Sequence, residues 1–488
     1  DYLKLYYSEL DPNKYVRFHF PQLQSGYYEH FIFYPFGISL HSQAKVKHAE
    51  GIETIHISQR NRPGRWISLG IYKIDDPEQS YIEVNTASIG LTVADAIMLR
   101  PINTQTYLTA QQQKQAAYLT ATNDQHWQNL KVPGHWGMLN EYSTYTGKAW
   151  YRKTFKLPQH WQNVTDEKIR IQFDGVYHIA KVYLNGQYIG RHQGGFTPFE
   201  FDITDKLHLK KNNVLAVEAD NSAIVGATWN WGGIIRDVKL TKTADVRINY
   251  QYIHADPDLS TGNAEIKLKV RVENNSNRQR QLTFQSDIFR NVKLTQLSKA
   301  IKVPAQQILT FELTGQLTQE QVNLWHFDSP NLYQMHSQLI ENDQVIHQSI
   351  DRFGIRKIEL TQNQMLLNGE PVRLGGFNRV SDHRYWGSSE PLQILEQDVE
   401  LMKNAGANFM RIMHGTQNKK LLELCDEKGI LLFEEANIRE LTNPEIVPPH
   451  YDMAKQWVRE MVERDSNHPS IIGWSVGNEL SYHYDYAK

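Results

Sequence analysis

A single cysteine, Cys425, stands in 488 residues, which excludes an internal disulfide framework and a cysteine-built metal site. It falls at helical spacing with Leu421 and Leu424 and reads as an ordinary buried thiol. No apolar run approaches the roughly 18 to 20 residues that span a bilayer, so no transmembrane segment is expected. Nothing resembles a signal peptide, but the chain opens at Asp1 without a methionine, so this says nothing about export. Charge of one sign is missing too. The formal net charge is −2, with no basic run to track phosphates and no acidic tail, and nucleic acid is not an expected partner. Aromatics are plentiful: 11 Trp and 25 Tyr supply side chains that either fill sandwich cores or stack on flat ligand faces. A chain of this length exceeds one core, and about three or four domains are expected.

Period-2 alternation broken by Gly and Pro dominates the first three quarters, the pattern of β-sandwich and jelly-roll modules. Residues 1–101 read as a small β-sandwich with strands at 27–34 and 52–58, and polar residues 102–120 as a linker. Residues 121–243 read as a jelly roll, with strands at 169–173 and 181–184 and a hairpin turn at Asn185-Gly186. Residues 244–352, alternating at 264–270, suit an immunoglobulin-like sandwich without its cysteine pair. From residue 353 the period changes. Strand-like runs at 372–377, 408–413, 430–433 and 471–476 alternate with helical segments, the signature of a (β/α)8 barrel of which 353–488 supply the first half. The helix expected at 392–405 places Leu395, Val399 and Met402 on one face with Glu396 and Glu400 outward, and a later one groups Met453, Trp457 and Met461.

Side chains at the C-terminal tips of barrel strands project into one mouth. The first tip offers Asn378, Arg379, Asp382 and His383, and the second Arg411 and His414. The third offers Glu434, Glu435 and Asn437, and the fourth Asn478 and Glu479. A rim mixing cations, carboxamides and carboxylates suits a sugar, whose hydroxyls need directional partners and whose glycosidic oxygen needs a proton as it leaves. Glu479 is the candidate proton donor, Asn478 is placed to hold a hydroxyl, and Arg411 to orient a carboxylate. The structural alternatives are an Arg411–Glu435 ion pair at the rim and ordinary loop histidines at 383 and 414. Glu434 and Glu435 are adjacent on one strand, so only one faces the mouth. Trp66, Trp136, Trp229 and Trp231 are either stacking platforms or core residues.

Two resemblances add to this reading. Gly64-Arg65-Trp66-Ile67-Ser68-Leu69-Gly70-Ile71-Tyr72 and Gly90-Leu91-Thr92-Val93-Ala94-Asp95-Ala96-Ile97 look like the accessory domain of golvesin-like and xanthan-lyase-like proteins. That implies a secreted, polysaccharide-associated context, periplasmic or extracellular, with spacer and sugar-binding roles both open. The ordered segments Val132-Pro133-Gly134-His135-Trp136, Phe173-Asp174-Gly175-Val176, Gly233-Ile234-Ile235-Arg236-Asp237-Val238, Leu367-Asn368-Gly369-Glu370-Pro371-Val372 and the run into Asn478-Glu479 resemble glycoside hydrolase family two, which holds β-galactosidases, β-glucuronidases and β-mannosidases. The resemblance implies a sugar-binding jelly roll, an immunoglobulin-like domain and a barrel working by double displacement with retention. It implies Glu479 as acid/base and Asn478 as the contact to the sugar 2-hydroxyl. Arg411, His414, His383, Asn378 and Glu435 would line the sugar site, and the nucleophilic glutamate would lie beyond Lys488.

Departures qualify the match. Where the β-galactosidase branch places an acidic residue and a histidine for magnesium, this chain has Arg439 and Leu441, so no metal or other cofactor is expected. His414-Gly415-Thr416 departs from the usual His-Tyr-Pro. The expected function is a retaining exo-β-glycosidase, β-galactosidase-like, trimming oligosaccharides of a complex polysaccharide. The alternatives are a β-glucuronidase of the same family and a catalytically silent carbohydrate-binding protein. Association into homo-oligomers is left open.

Overall fold

The structure, a computed structural model, describes residues 15–34, 42–57, 65–86, 92–105, 107–108, 117–143, 145–222, 230–439 and 451–480. The chain divides into two compact units, Asp1–Ala117 and Tyr118–Lys488. Part of the expected linker, residues 106 and 109–116, lies outside the described residues, as do Trp229 and Leu441.

The first unit packs two antiparallel sheets. One orders Tyr15–His19, Tyr81–Thr86, Ser42–His48 and Gly51–Ile57; the other orders Arg65–Ile74, Gly26–Tyr34 and Ala96–Ile102. Alternation decides which face is buried: along Gly26–Tyr34 the side chains of Tyr28, His30, Ile32 and Tyr34 go inward, joining Val46, Ile74 and Ile82. Trp66 stays 44% exposed, so it is not a core residue.

In the second unit the jelly roll sets a four-stranded sheet (Gln187–Gln193, Ile179–Leu184, Asn213–Asp220, Lys148–Phe155) against a three-stranded one (Phe199–Asp202, Glu167–Phe173, Val238–Ala244). Asn185 and Gly186, with φ of 53° and 80°, make the two-residue turn that pairs Leu184 with Gln187. Trp136 is buried in this core. The immunoglobulin-like sandwich follows, three strands against four. The strand Ala264–Asn274 buries alternate side chains from Ala264 through Asn274.

Barrel strands Gly376–Val380, Phe409–Met413, Leu431–Glu435 and Ile471–Ser475 form one parallel sheet in that order, interleaved with helices Leu392–Asn404, Lys419–Lys428 and Tyr451–Asp465. Leu395 and Val399 pack with Met410, Ile412, Leu421 and a fully buried Cys425, while Glu396 and Glu400 face solvent.

One expectation is corrected. The first barrel strand is not 372–377 but begins at Gly376, because Glu370–Val372 belongs to a separate antiparallel sheet with Ile358–Leu360 and Met365–Leu367. Asn368 and Gly369, at φ 56° and 84°, form the tight turn that commits Val372 to this hairpin. Asn378 and Arg379 therefore lie within the first barrel strand rather than past it.

Candidate active site

Three consecutive strand ends converge on the Glu435 carboxylate. Glu435 closes the third barrel strand and is fully buried. Its Oε2 accepts from Arg411 Nη2 at 2.8 Å and from Ser475 Oγ at 2.9 Å, and its Oε1 accepts the His414 backbone N–H at 2.7 Å. Arg411 Nη2 also donates to Asn478 Oδ1 at 2.8 Å. Parallel pairing places them: Glu435 sits opposite Ser475, and Arg411 opposite Phe433, two residues before Glu435 on the same face, so the long Arg411 side chain meets the carboxylate one step further along the strands. Asn378 is in register with Arg411. The Arg411–Glu435 ion pair is thus real, and through Asn478 it belongs to the rim as well.

Past the fourth strand, Asn478 N–H donates to Ile438 O at 2.9 Å and pairs in a parallel bridge with Arg439. Gly477 permits that approach, since a Cβ there would sit 2.6 Å from Ile438 O. Glu479 follows in a left-handed conformation, φ 54°, with its side chain 56% exposed. Its Oε2 accepts from Arg439 Nε at 3.0 Å and Nη2 at 2.9 Å. The residue that departs from the family pattern therefore puts a guanidinium against the candidate proton donor.

His414 is also left-handed, φ 65°, and buried. Burial pushes its imidazolium down, and the nearby Arg439 and Arg411 charges add to this against the opposing charge of Glu435. Among the described residues its Nδ1 has no hydrogen-bond partner, nor does either polar atom of the Asn437 side chain, although both residues are more than nine-tenths buried. Orphaned donors and acceptors at the mouth of a barrel are what a polyhydroxylated ligand satisfies.

Glu434 turns the other way, as alternation along a strand requires. Its Oε1 accepts the Gln417 N–H at 2.9 Å, and Arg464 lies 3.7 Å off. Burial, with the charge of Asp465, pushes its carboxyl up to about 8.

His383 does not join this cluster. Its Nδ1 accepts the backbone N–H groups of Tyr385 and Trp386 at 3.2 and 3.3 Å, closing a loop bridged to Gly387. Neighbouring Asp382 accepts from Trp231 Nε1 at 2.6 Å, so this jelly-roll tryptophan reaches the loop after the first barrel strand. His135 packs against Trp231, ring centroids 4.4 Å apart and tilted by 57°, and contacts Tyr385 O at 3.3 Å. Sequence reasoning missed Ser475, and it missed the partnership of Arg439 with Glu479. Their only signal was adjacency to strand ends.

Sandwich modules leading into a parallel strand–helix repeat, with acids, carboxamides and guanidiniums gathered at its strand ends, define a multidomain protein of β modules followed by part of a (β/α) barrel. Comparison with known proteins agrees. Three domain models of glycosyl hydrolases family 2 match in order: the sugar binding domain over residues 119–244, the family 2 domain over 246–356, and the TIM barrel domain over 358–488. The Golvesin C-terminal domain matches 4–101. A β-galactosidase of Thermoanaerobacter pseudethanolicus is 30% identical over 378 residues, covering 74% of this chain and 48% of that protein. A putative β-glucuronidase of Formosa agariphila is 29% identical, covering 75% of this chain and 44% of that protein. Among solved structures, Bacteroides uniformis β-glucuronidase 2, covalently bound to cyclophellitol-6-carboxylate aziridine, superposes with a TM-score of 0.68 at 30% identity, covering 74% of this chain and 44% of that one. The chain belongs to glycoside hydrolase family 2. It spans about half the length of the curated relatives it matches.

Proposed function

We propose that this chain carries the acid/base half of a retaining exo-β-glycosidase, β-galactosidase-like, acting on oligosaccharides of a complex polysaccharide. The observation that carries the reading is the hydrogen-bond network joining Glu435, Arg411 and Asn478, beside polar atoms of His414 and Asn437 that find no partner among the described residues. In the proposed reaction Glu479 protonates the departing glycosidic oxygen while a carboxylate attacks the anomeric carbon. Glu479 then takes a proton from the water that releases the sugar. Asn478 holds the 2-hydroxyl, with Arg411, His414, Asn378 and Glu435 lining the sugar site.

Glu435 is unsuited to be the nucleophile, because both its oxygens are committed to Arg411, Ser475 and the His414 amide. We assign the nucleophile to chain beyond Lys488. The covalent adduct of the Bacteroides uniformis relative supports a covalent route. The accessory domain supports a periplasmic or extracellular location.

Glu479→Gln in the intact protein is expected to abolish hydrolysis of glycosides with poor leaving groups, while aryl glycosides whose leaving group needs no proton are still cleaved to the glycosyl-enzyme. Undiminished turnover of both would refute the assignment. The β-glucuronidase reading is favoured by two guanidiniums at the rim, Arg411 and Arg439, which suit a uronate carboxylate. Parallel assays with nitrophenyl β-galactoside and β-glucuronide decide between the two, and no cleavage of either favours a silent binding protein.

A further inference from the structure

Glu434 and Glu435 hold one loop from opposite faces of the third barrel strand. Glu435 accepts the amide of His414 at one end, and Glu434 accepts the amide of Gln417 at the other. Between these anchors the carbonyls of the loop are taken by a residue of a different domain. Arg236, from the jelly roll, donates through Nη2 to Thr416 O at 2.7 Å and through Nη1 to Gln417 O at 2.7 Å and Phe196 O at 3.0 Å. Arg464 reinforces the same carbonyl of Gln417 at 2.8 Å. The Phe196 ring lies close enough that a Cβ on Gly415 would sit 3.0 Å from it.

Arg236 is an expensive way to join two domains. Its guanidinium is buried, and burial together with the charge of Arg464 pulls it down to about 9. Desolvating a guanidinium is unfavourable, and apolar packing joins domains without that cost. A forked donor does offer what apolar packing cannot, namely fixed direction to two successive carbonyls. The loop needs fixing, because a left-handed backbone at a non-glycine residue such as His414 is unfavourable unless its surroundings hold it.

We propose that Arg236 is a positioning residue, through which the jelly roll fixes the 414–417 loop and aims the His414 ring into the sugar site. The proposal rests on the reading of His414 as a sugar contact. It makes the jelly roll part of the active site's framework rather than a separate binding module.

A double-mutant cycle on kcat/KM in the intact protein tests it, with Arg236→Met, His414→Ala and the pair. Each single change is expected to lower kcat/KM on the order of 100-fold, the scale of a misplacement of about 1 Å. The double variant should be little worse than the worse single, since Arg236 has nothing to aim once the imidazole is gone. Losses that multiply would overturn the proposal and leave Arg236 as interdomain structure. Should Arg236→Met fail to fold, Arg236→Lys, which keeps the charge but not the fork, takes its place in the same cycle. If the wild-type protein cleaves neither glycoside, the proposed function fails separately. Amide hydrogen exchange then decides the positioning role: in Arg236→Lys, faster exchange confined to the His414 and Gln417 amides supports it, and unchanged or uniformly faster exchange overturns it.

Discussion

At Glu435 one carboxylate accepts from a guanidinium, a hydroxyl and a backbone amide with no exposure to water. Replacing it with leucine strands the Arg411 cation and leaves the His414 amide without an acceptor. Glu435→Leu is therefore expected to cost about 3 kcal/mol or more. The check is chemical denaturation: the midpoint should fall with the slope unchanged, and an unmoved midpoint would mean that the pair contributes no stability. At this scale the sequence was informative about types and silent about partners. Asn478, Glu479, Arg411 and Glu435 were legible from their places at strand tips. The pairing of Arg439 with Glu479 was not, because the two lie 40 residues apart and meet only where the chain ends of two strands bridge.

Among elements, the turn that leads into the fourth barrel strand is tied down by Asp426 of the helix Lys419–Lys428. Asp426 takes His468 Nδ1 at 2.6 Å, Ser470 Oγ at 2.6 Å and Ser470 N–H at 3.2 Å, fixing the strand whose tip carries Asn478 and Glu479. Burial pushes the His468 imidazolium down, but the charge and hydrogen bond of Asp426 outweigh it, so its pKa stands above the ordinary 6.5. A histidine raised in the folded state stabilises fully below pH 6.5, and that contribution is lost as pH rises through the folded value. His468→Gln should therefore lower the melting temperature at pH 6 more than at pH 9; an equal loss at both would refute the charged pair. Elements also show where pattern reading failed. The pattern at 372–377 reads as barrel strand, although Asn368-Gly369, the same turn chemistry as Asn185-Gly186, precedes it and pairs Glu370–Val372 back onto Met365–Leu367 in a hairpin.

Across the whole molecule, each β module holds a histidine in its neutral form, fully buried in the first two and half-buried in the third. Burial pushes His30 of the accessory unit down to about 4, His178 of the jelly roll to about 3, and His347 of the immunoglobulin-like sandwich to about 4. Unfolded, each binds a proton below pH 6.5; folded, each resists until far lower, so stability falls as pH drops from about 6.5 toward 4. His178 is the sharpest case, with both ring nitrogens unpartnered and its ring edge-on to Trp457 of the barrel at 5.5 Å. His178→Phe should flatten the acid side of the melting-temperature profile, and a slope identical to wild type would show that this histidine is not what acid attacks.

The sequence by itself determined the modules, because alternation at period 2 and the change to strand–helix repeats are local consequences of which faces must be buried. It also determined which chemistry-bearing residues sit at strand tips. Tertiary structure alone decided which of them meet. The register of the parallel strands and the reach of Arg411 joined Arg411, Glu435, Ser475 and Asn478 in one hydrogen-bonded network. The docking of the jelly roll brought Arg236 to the loop of His414, 180 residues away in sequence. Contacts of that separation depend on strand register and domain packing, which no local pattern encodes.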